Sequence, residues 1–184
     1  MNKRKMARGL MRTNADISGM KAKKIWIFGG VGSGKTTFAE KLSEKLKIPF
    51  YTTENFVYEK KWGEKCSESM KRKNIQAVVN KPFWIIEGTH NGKWIEAQVK
   101  KADVVILLNM SRPRLFFRVT KRHIARKKSG DLGSWETLIK MLRWAFEYKS
   151  SDYEKYKKLA RGKKFIILNG PKQVNEFDYA EELK

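Results

Sequence analysis

Cysteine is all but missing from this sequence. Cys66 is the only one in 184 residues, which excludes an intrachain disulfide and a cysteine-rich zinc site and fits a reducing compartment. Long apolar runs are missing too. No stretch approaches the ~18 residues a membrane span needs, and the N-terminus lacks the apolar segment of a signal peptide, so a soluble, cytoplasmic chain that engages no membrane is expected. Internal repeats and low-complexity segments are absent. Acidic residues are scarce: 19 Asp+Glu against 41 Lys+Arg leave a formal charge of +22 and a pI near 10.1. Such an excess attracts polyanions, nucleic acid among them, but it speaks to association rather than to fold. Part of it sits in residues 1–22, where Lys3, Arg4, Lys5, Arg8, Arg12 and Lys21 face a single acid, Asp16. With no sustained apolar period there, the segment reads as a flexible basic arm. Residues 23–184 then form one domain, long enough to bury a real core.

Against these absences stands one dense stretch, an apolar run from Lys24 to Phe28 that breaks into glycines and ends in Gly34-Lys35-Thr36-Thr37. Gly29 to Thr36 satisfies G-x-x-x-x-G-K-[ST], placed after an expected strand and before an expected helix, where a phosphate cradle belongs. Gly29, Gly30, Gly32 and Gly34 let the backbone turn with positive φ. With Val31 and Ser33 between them, they can bring N–H groups against phosphate oxygens without a Cβ in the way. The helix opening at Lys35 adds unpaired N–H groups and a dipole that favours an anion. Lys35 would reach the β- and γ-phosphates of ATP, the Thr36 hydroxyl would ligate Mg²⁺, and Thr37 completes the turn.

Downstream, strand-like and helix-like segments alternate. Phe38, Leu42 and Leu46 recur at intervals of four, marking a helix over 35–47 that Ile48-Pro49 ends. Phe50 to Thr53 is a weak second strand, Ser67 to Val79 suits a helix, and Phe83 to Glu87 is a strand running into the turn Gly88 to His90. A short helix with Trp94, Ile95 and Val99 precedes the apolar run Val104 to Leu108. Ser111-Arg112-Pro113 starts a helix on which Arg114, Arg118, Arg122 and Arg126 form a row. A loop over 127–133 follows, then a long helix from Trp135 to about Ala160, the strand Phe165 to Leu168, and the turn Asn169-Gly170-Pro171. Apolar runs rather than two-period alternation argue for a parallel sheet covered on both faces. The expected fold class is an α/β, three-layer phosphate-loop domain of five strands with a short arginine-bearing lid at about 118–134.

On open sheets of this kind ligands bind at the carboxyl ends of the strands. Glu87 ends an apolar strand, where it could hold Mg²⁺ waters or orient an acceptor hydroxyl; a solvent-facing strand end is the plainer reading. Glu54, Asn55, His90 and Trp94 are candidate acceptor contacts. Arg118 and Arg122 are candidates to stabilise charge on a transferring phosphoryl group, although a basic row is often just a solvated helix face.

The phosphate loop, Glu54 to Tyr58, Trp84 to Gly88, Ala102 to Leu108, the Arg118 to Arg122 segment and Phe165 to Leu168 together resemble the adenylate-kinase-like P-loop family. Within it the resemblance is nearest to the branch labelled DNA topology modulation proteins, and it runs from about residue 23 to 178. It implies strand order 2-3-1-4-5, an acceptor site near the second and third strands, ATP–Mg²⁺ on Lys35 and Thr36, and adenine near Asn169 and Pro171. Glu87 stands where such kinases place an Asp before Gly. Glu54 replaces that branch's usual Asp, and Glu87-Gly88-Thr89-His90-Asn91 lacks the arginine with which adenylate kinases bind substrate. Two functions follow as expectations. One is an ATP-dependent phosphotransferase acting on a small nucleoside- or nucleotide-like acceptor. The other is a nucleic-acid-binding ATPase or nucleotide switch that uses the basic surface and arm. A GTPase is disfavoured because Asn80-Lys81-Pro82-Phe83 lacks the guanine-reading aspartate.

Overall fold

The computed structural model describes residues 22–58, 64–90, 92–128, 134–147 and 150–183. The arm expected over 1–22 therefore lies outside the described residues except for Ala22, which is buried and bonded through its N–H to the Leu183 carbonyl. Five parallel strands, β1 (Lys24–Gly29), β2 (Phe50–Thr52), β3 (Trp84–Glu87), β4 (Val104–Asn109) and β5 (Lys164–Asn169), form a single sheet in the order 2-3-1-4-5. β1 is central, with Ile27 in register with Glu87 of β3 and Ile106 of β4. The apolar runs of β1, β3 and β4 are buried on both faces, as a covered parallel sheet requires. Alternate residues divide between two cores. Trp26, Phe28, Trp84, Ile86, Val105 and Leu107 face one layer, while Ile25, Ile27, Ile85, Ile106 and Leu108 face Phe38, Ala39 and Leu42 in the other. Trp26 stacks on Phe28 at 4.6 Å, and Tyr156 meets both rings edge-on at 4.9 and 5.2 Å. β2 is an edge strand whose three residues are only half-buried, which accounts for its weak sequence signal.

Nine helices are described. α1 (Lys35–Leu46) begins directly at the glycine loop and buries Phe38, Ala39, Leu42 and Leu46 against the sheet. α2 (Glu54–Val57) is one turn at the end of β2. α3 (Glu68–Val79) starts at Ser67, whose hydroxyl accepts the Met70 N–H at 3.2 Å and so satisfies an orphan donor. A short 3₁₀ turn, Lys93–Ile95, leads into α4 (Glu96–Lys101). α5 (Arg112–Lys128) follows β4. The helix expected from Trp135 to about Ala160 is described over two segments, α6 (Trp135–Glu147) and α7 (Ser150–Leu159), and 148–149 lie outside the described residues. They serve different layers: Leu138, Met141 and Ala145 of α6 pack on α5, whereas Tyr156 of α7 packs on the sheet. Apolar periodicity alone does not record which surface a helical segment meets. α8 (Gly170–Asn175) and α9 (Tyr179–Glu182) close the chain. Of the lid expected at about 118–134, residues up to Lys128 belong to α5, and 129–133 lie outside the described residues.

Candidate active site

The loop between β1 and α1 takes its shape from backbone conformations that side chains resist. Gly32 and Gly34 have φ of +81° and +93°, in the left-handed region that glycine enters without steric cost. At Gly29 space is decisive as well, since a Cβ there would stand 2.6 Å from the Leu108 carbonyl oxygen of β4. Within this loop the Ser33 N–H donates to the Gly30 carbonyl at 3.1 Å. The first turn of α1 leaves backbone N–H groups without helical partners, facing the concave side of the loop. Ser33 Oγ is buried with no hydrogen-bond partner among the described residues, an orphan that a phosphate oxygen would satisfy. Val31 packs against Val119 and Leu138. Thr36 and Thr37 are exposed.

Lys35 folds back over the loop and donates from Nζ to the carbonyls of Gly29 and Gly30 at 3.0 and 2.9 Å. Burial lowers its pKa, while Glu87 and Glu54 oppose that shift and Arg122 adds to it. Glu87, almost fully buried at the end of β3, accepts a hydrogen bond from Thr36 Oγ1 at 3.1 Å. Desolvation raises the Glu87 pKa, opposed chiefly by Lys35 and by hydrogen bonds from Thr52 and Thr36. The two residues expected around Mg²⁺, 51 positions apart in sequence, are thus in direct contact. A hydroxyl beside a carboxylate is the hard oxygen donor set that Mg²⁺ takes when it keeps several waters, so the residues present fit an ATP–Mg²⁺ group. Glu87 is accordingly not a solvent-facing strand end.

Thr89, which carried no role in the sequence analysis, ties the next loop to the phosphate loop. Its hydroxyl accepts the Gly29 N–H at 3.2 Å and donates to the Gly29 carbonyl at 3.1 Å. Gly88 approaches α2 so closely that a Cβ would fall 1.8 Å from Thr53 Oγ1, and its φ is +126°. Glu54 and Asn55 lie exposed on α2 at this end of the sheet, and the charge of Glu54 acts on Lys35, Glu87 and Arg122. His90 is half-buried beside Trp94, ring centroids 5.5 Å apart, and its carbonyl accepts the Tyr156 hydroxyl at 2.7 Å. Burial, and behind it the charges of Lys35, Lys71 and Lys65, push the His90 pKa down to about 4. Trp94 is only 5% exposed and belongs to the core that includes Ile75, Val79 and Ile95. Its indole lies beside the His90 ring.

The arginine row divides in two. Arg118 Nη1 donates to the Ser33 carbonyl at 3.1 Å, so it grips the phosphate loop itself. Arg122 lies with Nη2 3.3 Å from Met141 Sδ and within electrostatic reach of Lys35 and Glu54, whereas Arg114 is exposed. On the other side of β1, Asn109 and Asn169 end β4 and β5 in register, joined by an Asn109 Nδ2 to Asn169 Oδ1 bond of 2.7 Å. Gly170 takes a φ of +78° and Pro171 opens α8. Asn109 was not picked out from sequence, although a polar residue ending an apolar strand is the same signal that picked out Glu87. No group of three or more His, Cys, Asp or Glu side chains suited to a metal occurs among the described residues. None of the described helices is long and apolar enough to cross a membrane.

A five-stranded parallel sheet ordered 2-3-1-4-5, a glycine loop with its lysine and threonine, and an arginine helix lying on that loop define a P-loop kinase fold. A family model for shikimate kinase matches residues 31–78. A Pyrococcus furiosus protein bearing the name "Putative adenylate kinase" is 30% identical over 112 residues, 58% of this chain and 59% of that protein; the chain thus spans less than two thirds of that relative. Shikimate kinase from Acinetobacter baumannii, solved in complex with shikimate, superposes with a TM-score of 0.56 at 18% identity, covering 86% of this chain and 90% of that one. Shikimate kinase from Bacteroides thetaiotaomicron gives 0.50 at 17% identity, covering 83% and 91%. At such identities the solved structures speak to the fold. Together with the phosphate loop, these matches make the chain similar to shikimate and adenylate kinases over part of its sequence, and to P-loop kinases in fold.

Proposed function

We propose that this protein is an ATP-dependent phosphotransferase that moves the γ-phosphoryl group of ATP to a small acceptor bound between α2, α3 and the loop that follows β3. The observation that carries the reading is the contact of Thr36 with the buried Glu87 beside Lys35, which assembles phosphate-binding and Mg²⁺-binding groups at one strand end. Thr36 and Glu87 would hold Mg²⁺, which would supply positive charge to offset that of the phosphates. The chain's own part is positioning and electrostatics. Loop amides and Lys35 would hold the phosphates, Thr36 and Glu87 would hold the metal, and Arg122, within electrostatic reach of Lys35, would offset the charge that develops. Lys35 must leave the Gly29 and Gly30 carbonyls to reach the nucleotide, a small rearrangement of a flexible side chain.

The acceptor side is cationic. Lys65 and Lys71 act on His90 from α3 and the chain just before it, and His90 stays neutral at pH 7, so it can donate or accept a hydrogen bond without charge. An acceptor that carries a phosphate or carboxylate as well as the reacting hydroxyl fits this surface. A nucleotide-like molecule meets that description, and so does a small hydroxy acid such as shikimate, which the Acinetobacter baumannii structure contains. The net charge of +22 supports a second reading, an ATPase that responds to nucleic acid.

One assay separates them: ATP turnover with Mg²⁺ against shikimate, nucleosides, nucleoside monophosphates and 5′-hydroxyl oligonucleotides, following ADP and phosphorylated product together. ADP matched by one phosphorylated small acceptor is the expected result, and Lys35→Ala should lower that turnover by roughly 10²–10³-fold with the fold intact. ADP that rises with DNA or RNA while no acceptor is phosphorylated would favour the second reading. Wild-type turnover in the Lys35 variant would remove the phosphate loop from the mechanism.

A further inference from the structure

The hairpin of α5 and α6 buries one seam and leaves a second apolar face uncovered. In the seam Leu115 meets Ala145, and Val119 meets Leu138 and Met141. His123 lies against Trp135, and Arg112 lies over the Phe146 ring. Arg118 marks the side of α5 that rests on the phosphate loop. The helical period puts Phe117 and Ile124 on a different side of α5, and puts Trp135, Ile139 and Phe146 on that same side of α6. These five side chains keep 68%, 51%, 63%, 64% and 60% of their surface in water. Exposed apolar residues are ordinary when scattered, but a contiguous group of this kind marks an interaction site.

We infer that this face is the interface of a two-fold homodimer, in which α5 of one copy lies on α6 of the other. Three observations select a second copy over other occupants. First, the spacing suits a helix: Phe117, Lys121 and Ile124, and Trp135, Ile139, Leu142 and Phe146, follow the three-and-four repeat of a helix-packing seam. Second, with roughly 200 Å² per large side chain, the five expose on the order of 600 Å². With their neighbours this approaches the ~800 Å² per partner of a stable interface. Third, charge opposes one arrangement and tolerates the other. α5 contains no acidic residue, so α5 against α5 would oppose like charges. The row next to the apolar stripe of α6 alternates acid and base, Glu136 and Glu147 with Lys140 and Arg143, and Glu147 is already paired with Arg143, so the row is balanced and leaves Glu136 for Lys121 of the other copy. A two-fold axis makes each such contact twice. The aliphatic Ile124 and Ile139 fit a helix seam better than they fit stacked bases. Phe117 and Ile124 lie about a third of a turn around α5 from Arg118, so the interface is compatible with an open nucleotide site.

Sedimentation velocity on the full chain, over a hundredfold range of concentration at physiological salt, tests this. A monomer–dimer equilibrium is expected, and Ile139→Glu should raise its dissociation constant at least about tenfold without altering the far-ultraviolet circular dichroism or the affinity for an ATP analogue. Lys121→Glu should weaken the dimer, and adding Glu136→Lys should restore part of the loss by exchanging the charges. A wild-type chain that stays monomeric throughout overturns the proposal, as does an Ile139→Glu variant that dimerises as before. A monomer that instead binds phosphatidylserine vesicles or an oligonucleotide through Ile139 and Phe117 also overturns it and assigns the face to that partner.

Discussion

At His90 a neutral imidazole is held in place by its neighbours rather than by its own preference. Its pKa lies near 4 in the folded chain against 6.5 for the free side chain, through burial first and then Lys35, Lys71 and Lys65. The unfolded chain therefore binds a proton that the folded chain refuses, and stability is lost as pH falls from about 6.5 toward 4. The loss should amount to about 1–2 kcal/mol, below the full value of the shift because the ring keeps some contact with water. Urea unfolding of wild type and of His90→Asn across that window checks this: the variant's midpoint should fall less with acid. Glu87 behaves in the opposite sense, since burial raises its pKa, so it takes up a proton more readily in the folded state until Mg²⁺ or Lys35 offsets its charge. Lys35, Thr36 and Glu87 were all legible as residues, because a glycine motif and a strand-end carboxylate are local signals. That Glu87 touches Thr36 was not, since 51 residues separate them and only the β1–β3 register brings them together.

At the scale of elements, α5 is the piece whose role changed most between sequence and structure. Its arginines recur every four residues and read in sequence as one row, yet packing of Leu115 and Val119 onto the core orients the helix so that Arg118 bonds to the phosphate loop while Arg114 is exposed. Gly32 has room for no side chain here, since a Cβ would stand 3.0 Å from Val119 Cγ2 and 3.2 Å from the Leu115 carbonyl. On the proposed reading Arg118 positions the loop through its bond to the Ser33 carbonyl. Replacing it with Met removes a charge-assisted hydrogen bond of about 1.5–3 kcal/mol. The expected result is ATP-analogue affinity weakened by roughly tenfold or more, with partial recovery in Arg118→Lys. Loss of kcat at unchanged affinity would show instead that Arg118 acts on the transferring phosphoryl group. The same reasoning separates α6 from α7. Both are amphipathic, but one covers α5 and the other covers Trp26 and Phe28, a difference that appears only when their partners are in place.

For the whole molecule, charge is the property that sequence states most plainly. A formal +22 on 184 residues implies strong self-repulsion in the compact state. The ion pairs that relieve it locally, such as Lys71–Glu68 at 2.6 Å and Arg143–Glu147 at 2.7 Å, lie between residues three and four apart on one helix, where each contributes only a few tenths of a kcal/mol. Melting temperature should therefore rise by a few degrees between roughly 20 and 200 mM NaCl, as screening shortens the Debye length. Thermal unfolding in NaCl and in glycerol-matched low salt measures it, and a flat response would mean that the charges are already compensated. The order of elements, the parallel sheet and the phosphate loop were determined by sequence alone, because they rest on local patterns: apolar runs of strand length, helical periodicity and glycines at fixed spacing. Tertiary structure decided which of the polar residues at the strand ends meet, that Trp94 is buried beside His90, and which face of the α5–α6 hairpin is left bare. Those outcomes depend on register and on helix rotation about the sheet, and both are settled by long-range packing that no short stretch of sequence encodes.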